Sequence, residues 1–539
     1  MKQWKRVVTG CLTTGLLLVT GLPVQAVEED ISGRTQNVTD GNTFDDGTLT
    51  YTVLSNMQVS VTDCISTATN ISIMPEIDGY DVVAIGDQAF AGCESLQSVT
   101  IPSSVTEMGD GAFQSCISLQ SVILSDAITE IPDGAFLSCS ALQTVTFGNA
   151  VTKIGRMAFA YCNTLASIEI PDTVTELGEQ IFMGCSALES VTMPEGITAL
   201  PAYTFQNCAS LKTFSIPDTL TDLGYLAFVG CSSLEELELS DNHPVYSLQD
   251  GVLYSKDLTV LYLYPAGRTE TAFTVPDGVT TIYDGACFAA PFQFVTLPES
   301  LQVIGSGAFD YCTNLQTVTI PEQVTAVYDH AFSDCESLSS VVFAGDETAT
   351  SNALQIGSYA FFCCEQLMDV TLPKRVTEIG DFAFGATEQQ KVNADGSTTD
   401  EMETIAVSGF LLTGYEGAAA KYISESRSNG VRINFKSLEI PWMKIVSISL
   451  ACTVGLLLIF FVVRLVKKKR LTVAEKQALE AATAERQIPL SKREPEPEPE
   501  EEPYVSILED LPSPQLTHQF GHGVPEETTE ESEEKEETD

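Results

Sequence analysis

A period of 23 residues governs most of this 539-residue chain. Cys93, Cys116, Cys139, Cys162, Cys185, Cys208 and Cys231 stand 23 apart, and Cys312, Cys335 and Cys364 continue the series. The cysteine ends an Ala-Phe-x-x-Cys step, as in Ala89-Phe90 to Cys93, and Leu, Val and Ile recur three, six and eight residues later. Tandem units of about 20–29 residues with Leu-x-x-Val-x-Ile spacing specify stacked leucine-rich coils. One such coil cannot bury its apolar side alone. Residues 86–387 therefore form an elongated, mainly β array rather than one globular core, and both ends need caps.

Within a coil, two-residue alternation turns Leu96, Val99 and Ile101 inward and Ser98 and Thr100 outward, predicting a strand over Leu96 to Ile101. Pro102 ends it, because proline cannot donate to a ladder. Val105 to Gly109 forms a second short extended piece, Ala112-Phe113 returns an aromatic to the core, and a brief helical or irregular turn passes through Cys116. Taking the cysteine as reference gives twelve coils, with Ala290 and Thr387 in place of the thiol in two. At ~4.8 Å per coil the stack measures roughly 58 Å. A position that accepts Cys, Ala and Thr wants a small buried side chain. Equivalent Cβ atoms on stacked parallel strands also lie ~4.8 Å apart, wider than the ~3.8 Å of a disulfide, so the column is expected to hold reduced thiols. Cys64, Cys287 and Cys363 lie out of register and are better placed for any bridge, though no pairing follows from sequence.

Residues 27–85 read as the N-terminal cap, with strand-like pieces at Leu49 to Leu54, Val59 to Thr62 and Asn70 to Ile73. Residues 388–440 read as the C-terminal cap and stalk: a polar loop over Glu388 to Glu403, then a helix from Ala418 to Ser426. The register breaks between Cys231 and Ala290, which are 59 residues apart. This insert, residues 241–275, contains Gly251 to Tyr262, a hairpin turning at Lys256-Asp257.

Residues 1–26 combine a basic start, an apolar middle and Val24-Gln25-Ala26, the pattern of a removable secretory signal. Residues 441–466 predict a transmembrane helix: Ile445 to Val463 is 19 apolar residues, long enough at ~1.5 Å per residue for a core of about 30 Å. Trp442 precedes it, and Arg464, Lys467, Lys468, Lys469 and Arg470 follow as a stop-transfer cluster. The repeats are thus expected outside the cell membrane. Residues 467–539 form an acidic, disordered cytoplasmic tail with one apolar island, Tyr504 to Leu508, that could dock an intracellular partner.

The net charge of −47 disfavours nucleic acid and anionic lipid as partners. Neither a His-Glu-x-x-His nor a Gly-x-Ser-x-Gly turn occurs, and cysteines spaced by 23 do not make a zinc site. No catalytic, cofactor or metal residues are assigned. Outward strand positions are mostly Ser and Thr. Phe294 interrupts that surface with an exposed aromatic, and the insert adds Tyr246, Tyr254, Tyr262 and Tyr264. These five are the candidate binding surface, while the alternative for the tyrosines is packing of the hairpin onto the solenoid.

Coils such as Ile101-Pro102-Ser103-Ser104-Val105-Thr106 leading to Ala112-Phe113-Gln114-Ser115-Cys116 resemble the BspA-like, or Treponema-type, leucine-rich repeats of surface proteins. The resemblance covers roughly residues 45–435. It implies a β-solenoid and adhesion to, or recognition of, an extracellular or host protein or glycan. A membrane receptor or envelope organiser acting through its tail is the alternative.

Overall fold

A computed structural model describes residues 43–54, 57–392, 398–439, 455–465 and 473–481. The signal segment, most of the expected membrane span and most of the acidic tail lie outside the described residues. Residues 455–465 are helical, but among the described residues no helix is long and apolar enough to cross a membrane.

The 23-residue period becomes a parallel β-solenoid. Ser98–Thr100 pairs in parallel with Ser121–Ile123, which pairs with Thr144–Thr146, so Val99, Val122 and Val145 lie side by side. A second ladder of two-residue strands runs through Glu130–Ile131, Lys153–Ile154 and Glu176–Leu177. Leu96, Val99 and Ile101 are buried as the alternation requires. The ladder itself is shorter than expected, because the Leu96 N–H is committed to a turn onto the Cys93 carbonyl at 3.0 Å.

The third side of each coil is a corner built on left-handed backbone. In the second coil Gly111 and Ser115 have φ of 61° and 59°, and the same two positions are left-handed in every coil but the last, where Gly385 takes the place of Ala386; they include bulky residues such as Met157, Tyr203 and His330. Left-handed φ costs a non-glycine residue about 1–2 kcal/mol. The compensation is a second hydrogen-bond ladder. Between the two left-handed positions every other N–H turns to the same side, so Gly111, Phe113 and Ser115 donate to Asp133, Ala135 and Leu137 of the next coil at 2.8, 2.8 and 2.7 Å.

Between the corner and the first sheet the phenylalanines stack. Phe90 to Phe113 is 4.7 Å between ring centroids and Phe113 to Phe136 is 5.4 Å, and the row continues to Phe228. The cysteines lie beside this row as buried free thiols, and each reaches back one coil. Cys116 Sγ donates to the Phe90 carbonyl at 2.9 Å, Cys139 to Phe113 at 3.1 Å and Cys208 to Phe182 at 3.1 Å. That explains a thiol where size alone would admit alanine. Burial pushes the Cys208 and Cys231 thiols up from their ordinary range, away from the reactive thiolate. Cys64, Cys287 and Cys363 are also free.

Where Thr387 replaces the thiol of the last coil, its Oγ1 donates to Glu365 Oε1 at 3.1 Å. Thr387 belongs to a ribbon in which Ala386–Val392 pairs antiparallel with Thr398–Ala406. A loop was expected over Glu388 to Glu403. Its polarity misleads because both faces of the ribbon are wet beyond Glu388, and cross-strand pairs such as Lys391 with Glu401 at 3.0 Å replace apolar packing.

The insert is larger than a hairpin. Tyr246–Gln249, Val252–Ser255 and Val260–Leu263 form an antiparallel meander whose last strand joins Thr281–Ile282 in parallel. Two apolar cores meet here: one spans Leu49 to Leu263, the other Val252 to Ile433. Tyr246 and Leu253 serve the first, and Val252, Tyr254 and Tyr264 the second. His243, buried, stacks on Tyr246, accepts the Val245 and Tyr246 N–H groups at Nδ1, and bonds the Pro217 carbonyl through Nε2 at 3.2 Å.

Both ends are capped by departures from the repeat. At the start Thr43–Asp45, Leu49–Val53 and Gln58–Cys64 form an antiparallel meander whose last strand hands over in parallel to Tyr80–Ile85 and then Glu107–Met108. At the end the helix Ala418–Ser428 buries Tyr422. Its hydroxyl accepts the Phe384 N–H at 2.8 Å and donates to the Phe384 carbonyl at 2.6 Å. Thus the N–H that would bond a further coil is satisfied by a side chain. Arg375 is a second device near this end. Its guanidinium is buried and donates to the Val324, Pro321 and Asn352 carbonyls at 2.6, 3.2 and 3.3 Å, filling the space left by the longer coil between Cys335 and Cys364.

One pair of carboxyls strains this end. Asp310 and Asp334 sit on adjacent corners, where burial, and for Asp310 the neighbouring Asp334 charge, push both upward, Asp334 to about 6. Ser333 Oγ donates to Asp334 Oδ2 at 2.6 Å, a partial offset.

Three outcomes follow from this packing. With Tyr422→Phe the buried Phe384 N–H loses its acceptor, a cost of about 1–3 kcal/mol; hydrogen exchange over 376–439 should accelerate while that of 98–200 stays unchanged. A carboxyl raised in the folded state contributes stability below its unfolded pKa and loses it as pH rises through the folded value. Asp334→Asn should therefore raise the melting temperature at pH 7.5, by the equivalent of about 3 kcal/mol at most, with most of the advantage gone by pH 4. Finally, a maleimide should leave the buried thiols from Cys64 to Cys364 unlabelled in folded protein and modify them all in guanidinium, as mass spectrometry would read.

Candidate recognition surface

Of the five candidate residues, the structure leaves one fully on the surface. Phe294 is 47% exposed on the strand Phe294–Thr296. Tyr246, Tyr254 and Tyr264 are 1%, 1% and 2% exposed, and Tyr262 is partly buried. The three buried tyrosines therefore offer no face to a ligand, which corrects their place in the candidate surface. They are the joint between the two cores. Tyr246 meets Tyr262 edge-on at 5.2 Å, Tyr262 meets Tyr283 at 5.1 Å, and Tyr264 meets Phe292 at 5.3 Å. The Tyr246 hydroxyl donates to the Thr221 carbonyl at 3.0 Å, and the Tyr283 hydroxyl crosses the insert to the Leu223 carbonyl at 3.2 Å. Burial raises all three phenols, Tyr264 to about 12. The signal that could have warned of this is the alternation Tyr246-Ser247-Leu248, a third strand that turns the hairpin into a two-sided wedge.

The outward positions of the first ladder are distributed by charge. Asn70–Ser72, Ser98–Thr100, Ser121–Ile123 and Thr144–Thr146 form one four-stranded sheet with no charged residue facing out. Ala272–Thr274, Phe294–Thr296, Thr317–Ile320 and Ser340–Phe343 form another, equally free of charge. Between them Ser167–Glu169 and Glu236–Glu238 present Glu169, Glu236 and Glu238, while Ser190–Thr192 and Thr213–Ser215 carry no charge. Lys212 and Glu189 pair across adjacent coils there at 2.7 Å, an exposed bridge of little energetic weight. The second ladder is charged over most of its length before the insert, with Glu107, Glu130, Lys153, Glu176 and Asp222, whereas Thr281–Ile282, Val303–Ile304, Ala326–Val327 and Leu354–Ile356 after it carry no charge.

Nothing in the described residues assembles chemistry. No group of three or more His, Cys, Asp or Glu is placed to hold a metal among them. An open cleft of about 220 Å³ on the second ladder is lined by Tyr328, Asp329, Gln355, Ser358 and Glu378. Asp329 there already accepts the Ser358 N–H at 2.7 Å. His330 is stacked on Tyr359 at 4.9 Å, and burial lowers its pKa.

Comparison with known proteins bears on these surfaces. The model of the BspA type leucine rich repeat region matches in six copies over residues 67–186, 152–266 and 280–408. A leucine rich cell surface protein from Faecalibacterium prausnitzii is 31% identical with a TM-score of 0.57, the match covering 64% of this chain and 92% of that one. A leucine-rich repeat protein from Bacteroides ovatus is 24% identical with a TM-score of 0.47, over 74% of this chain and 100% of that one. A leucine-rich repeat protein of T. pallidum is 29% identical with a TM-score of 0.33, over 36% and 91%. Comparison with curated proteins finds no match. The family model matches more than half of the sequence: the chain belongs to the BspA type leucine-rich repeat family.

Proposed function

We propose that this chain is a single-pass cell-surface binding protein. Its solenoid stands outside the membrane, residues 441–466 span it, and residues 467–539 remain in the cytoplasm. The ligand is an extracellular or host protein or glycan. The observation that carries this reading is the pair of uncharged, solvent-facing sheets in a chain of net charge −47. Solubility alone would be served by acid on these faces too, as at Glu107, Glu130, Glu176 and Asp222 of the second ladder. Broad flat faces without charge, presented on a rigid stack, suit recognition of a large partner. The likeness to a leucine rich cell surface protein supports the placement outside, as do the signal-like start and the basic cluster after Val463.

Cells displaying the full chain test it. Protease added to intact cells should digest the repeats and spare an epitope at residue 539, and displaying cells should bind an extracellular-matrix protein or host-glycan array above cells lacking the chain. Removal of residues 471–539 should leave that binding intact at equal display. Loss of binding at equal display would replace this reading with that of a receptor working through its tail.

A further inference from the structure

We infer that the sheet around Phe294 binds an uncharged polysaccharide, with the Phe294 ring stacked on a sugar unit and the neighbouring hydroxyls bonding the chain as it runs along the solenoid. The inference deepens the recognition reading above and rests on it.

Four observations meet on this sheet. First, its outward positions carry no charge, while Glu236 and Glu238 precede it and Asp369 follows it. In a chain of net charge −47 the surrounding field repels polyanions. A basic protein would be drawn instead to the glutamates of the preceding strands. The partner that this face admits without penalty is neutral.

Second, the face is flat and polar rather than grooved and apolar. Thr296, Thr317 and Thr319 are exposed, each with a hydroxyl able to donate once and accept twice. The exposed Gln316 amide lies beside them. The apolar exposures, Phe294 at 47% and Val342 at 51%, lie on strands separated by Thr317–Ile320. They make no continuous patch for a helix or an apolar peptide.

Third, these groups repeat at the strand spacing of ~4.8 Å, close to the rise of one unit in an extended β-linked sugar chain. A polymer lying across the strands then meets at least one hydroxyl at each step: Thr274, Thr296, Thr317 with Thr319, and Ser340.

Fourth, Phe294 is flanked on its sheet by Ala272 on one side and Thr317 on the other. Alanine leaves a ring face uncovered. The negative face of an aromatic ring attracts the partly positive C–H groups on one side of a pyranose. The other uncharged sheet has Ile123 as its exposed apolar residue and no aromatic, so the inference is confined to the Phe294 sheet.

Affinity electrophoresis of the full chain in non-ionic detergent tests this, since its net charge of −47 drives migration in native gels. The gels contain glucomannan, xyloglucan, hydroxyethyl cellulose or dextran, with heparin as the anionic control. At least one neutral polymer should retard the chain, and heparin should not. Phe294→Ala should weaken retardation about tenfold or more, Thr319→Glu should abolish it, and Phe294→Tyr should retain it. Ser121→Glu, on the other uncharged sheet, should leave it unchanged. Circular dichroism confirms that each variant folds. Absence of retardation by every neutral polymer overturns the inference, as does retardation that Phe294→Ala and Thr319→Glu leave intact. If cells displaying the chain still bind a matrix protein and Phe294→Ala removes that binding, the face recognises protein: the glycan inference falls and the surface-binding reading stands. If neither polymers nor matrix proteins bind, both fall.

Discussion

Stacking in this protein depends on backbone donors that leave each coil at its corner and are received by the next. The strands of the repeats are only two to four residues long, and such strands hold poorly on their own. What makes the array continuous is the corner, where Gly111, Phe113 and Ser115 each donate to the following coil. The left-handed residues are the cost of aiming those N–H groups the same way. The phenylalanine row and the thiol column then fill the space that the corners enclose. The Phe90 carbonyl accepts both the Cys93 N–H of its own coil at 3.0 Å and the Cys116 thiol of the next at 2.9 Å. Removal of one thiol therefore leaves no orphaned carbonyl, which is consistent with the column's tolerance of Ala290.

The surface inherits its order from this interior. A strict interval of 23 residues, from Ser98 to Ser121 to Thr144, puts like positions in straight files, so a run of neutral residues in sequence becomes a neutral strip in space. The insert interrupts those files once and replaces them with the tyrosine wedge. Its aromatics tie one core to the other, whereas Phe294, one coil further on, has no interior left to fill and stands in solvent. Aromatic residue type alone does not separate these two roles; the strand face on which each lies does.

Much of this was legible in the chain. Cysteine spacing and Leu-x-x-Val-x-Ile alternation identify the stack, the inward residues and the reduced thiols, because burial dictates each of them locally, and the segment after Gly414-Tyr415-Glu416-Gly417 reads as the helix beginning at Ala418. Three things were not legible. The corner is hidden because its left-handed positions are occupied by Gln, Met, Tyr and His as well as Gly, with the hydrogen-bond partner lying one coil away. The ribbon Ala386–Val392 with Thr398–Ala406 looks like a loop because polar cross-strand pairs support it. The role of the tyrosines depended on a third strand that gave the insert two faces. As for the recognition surface, Phe294 could be placed outside by alternation, but the grouping of uncharged strands into two sheets appears only after pairing is known.

The corner ladder has a direction. On either side of the insert an inner coil accepts hydrogen bonds from the coil before it and donates to the coil after it, so duplicating or deleting a whole unit inside either run leaves the bonding of both caps as it was. Tyr422 would still meet the last unpaired N–H of whichever coil came to precede it. Length is consequently a property that tandem duplication can change in single steps of one unit, without redesigning either terminus and without disturbing the chemistry of the faces already present.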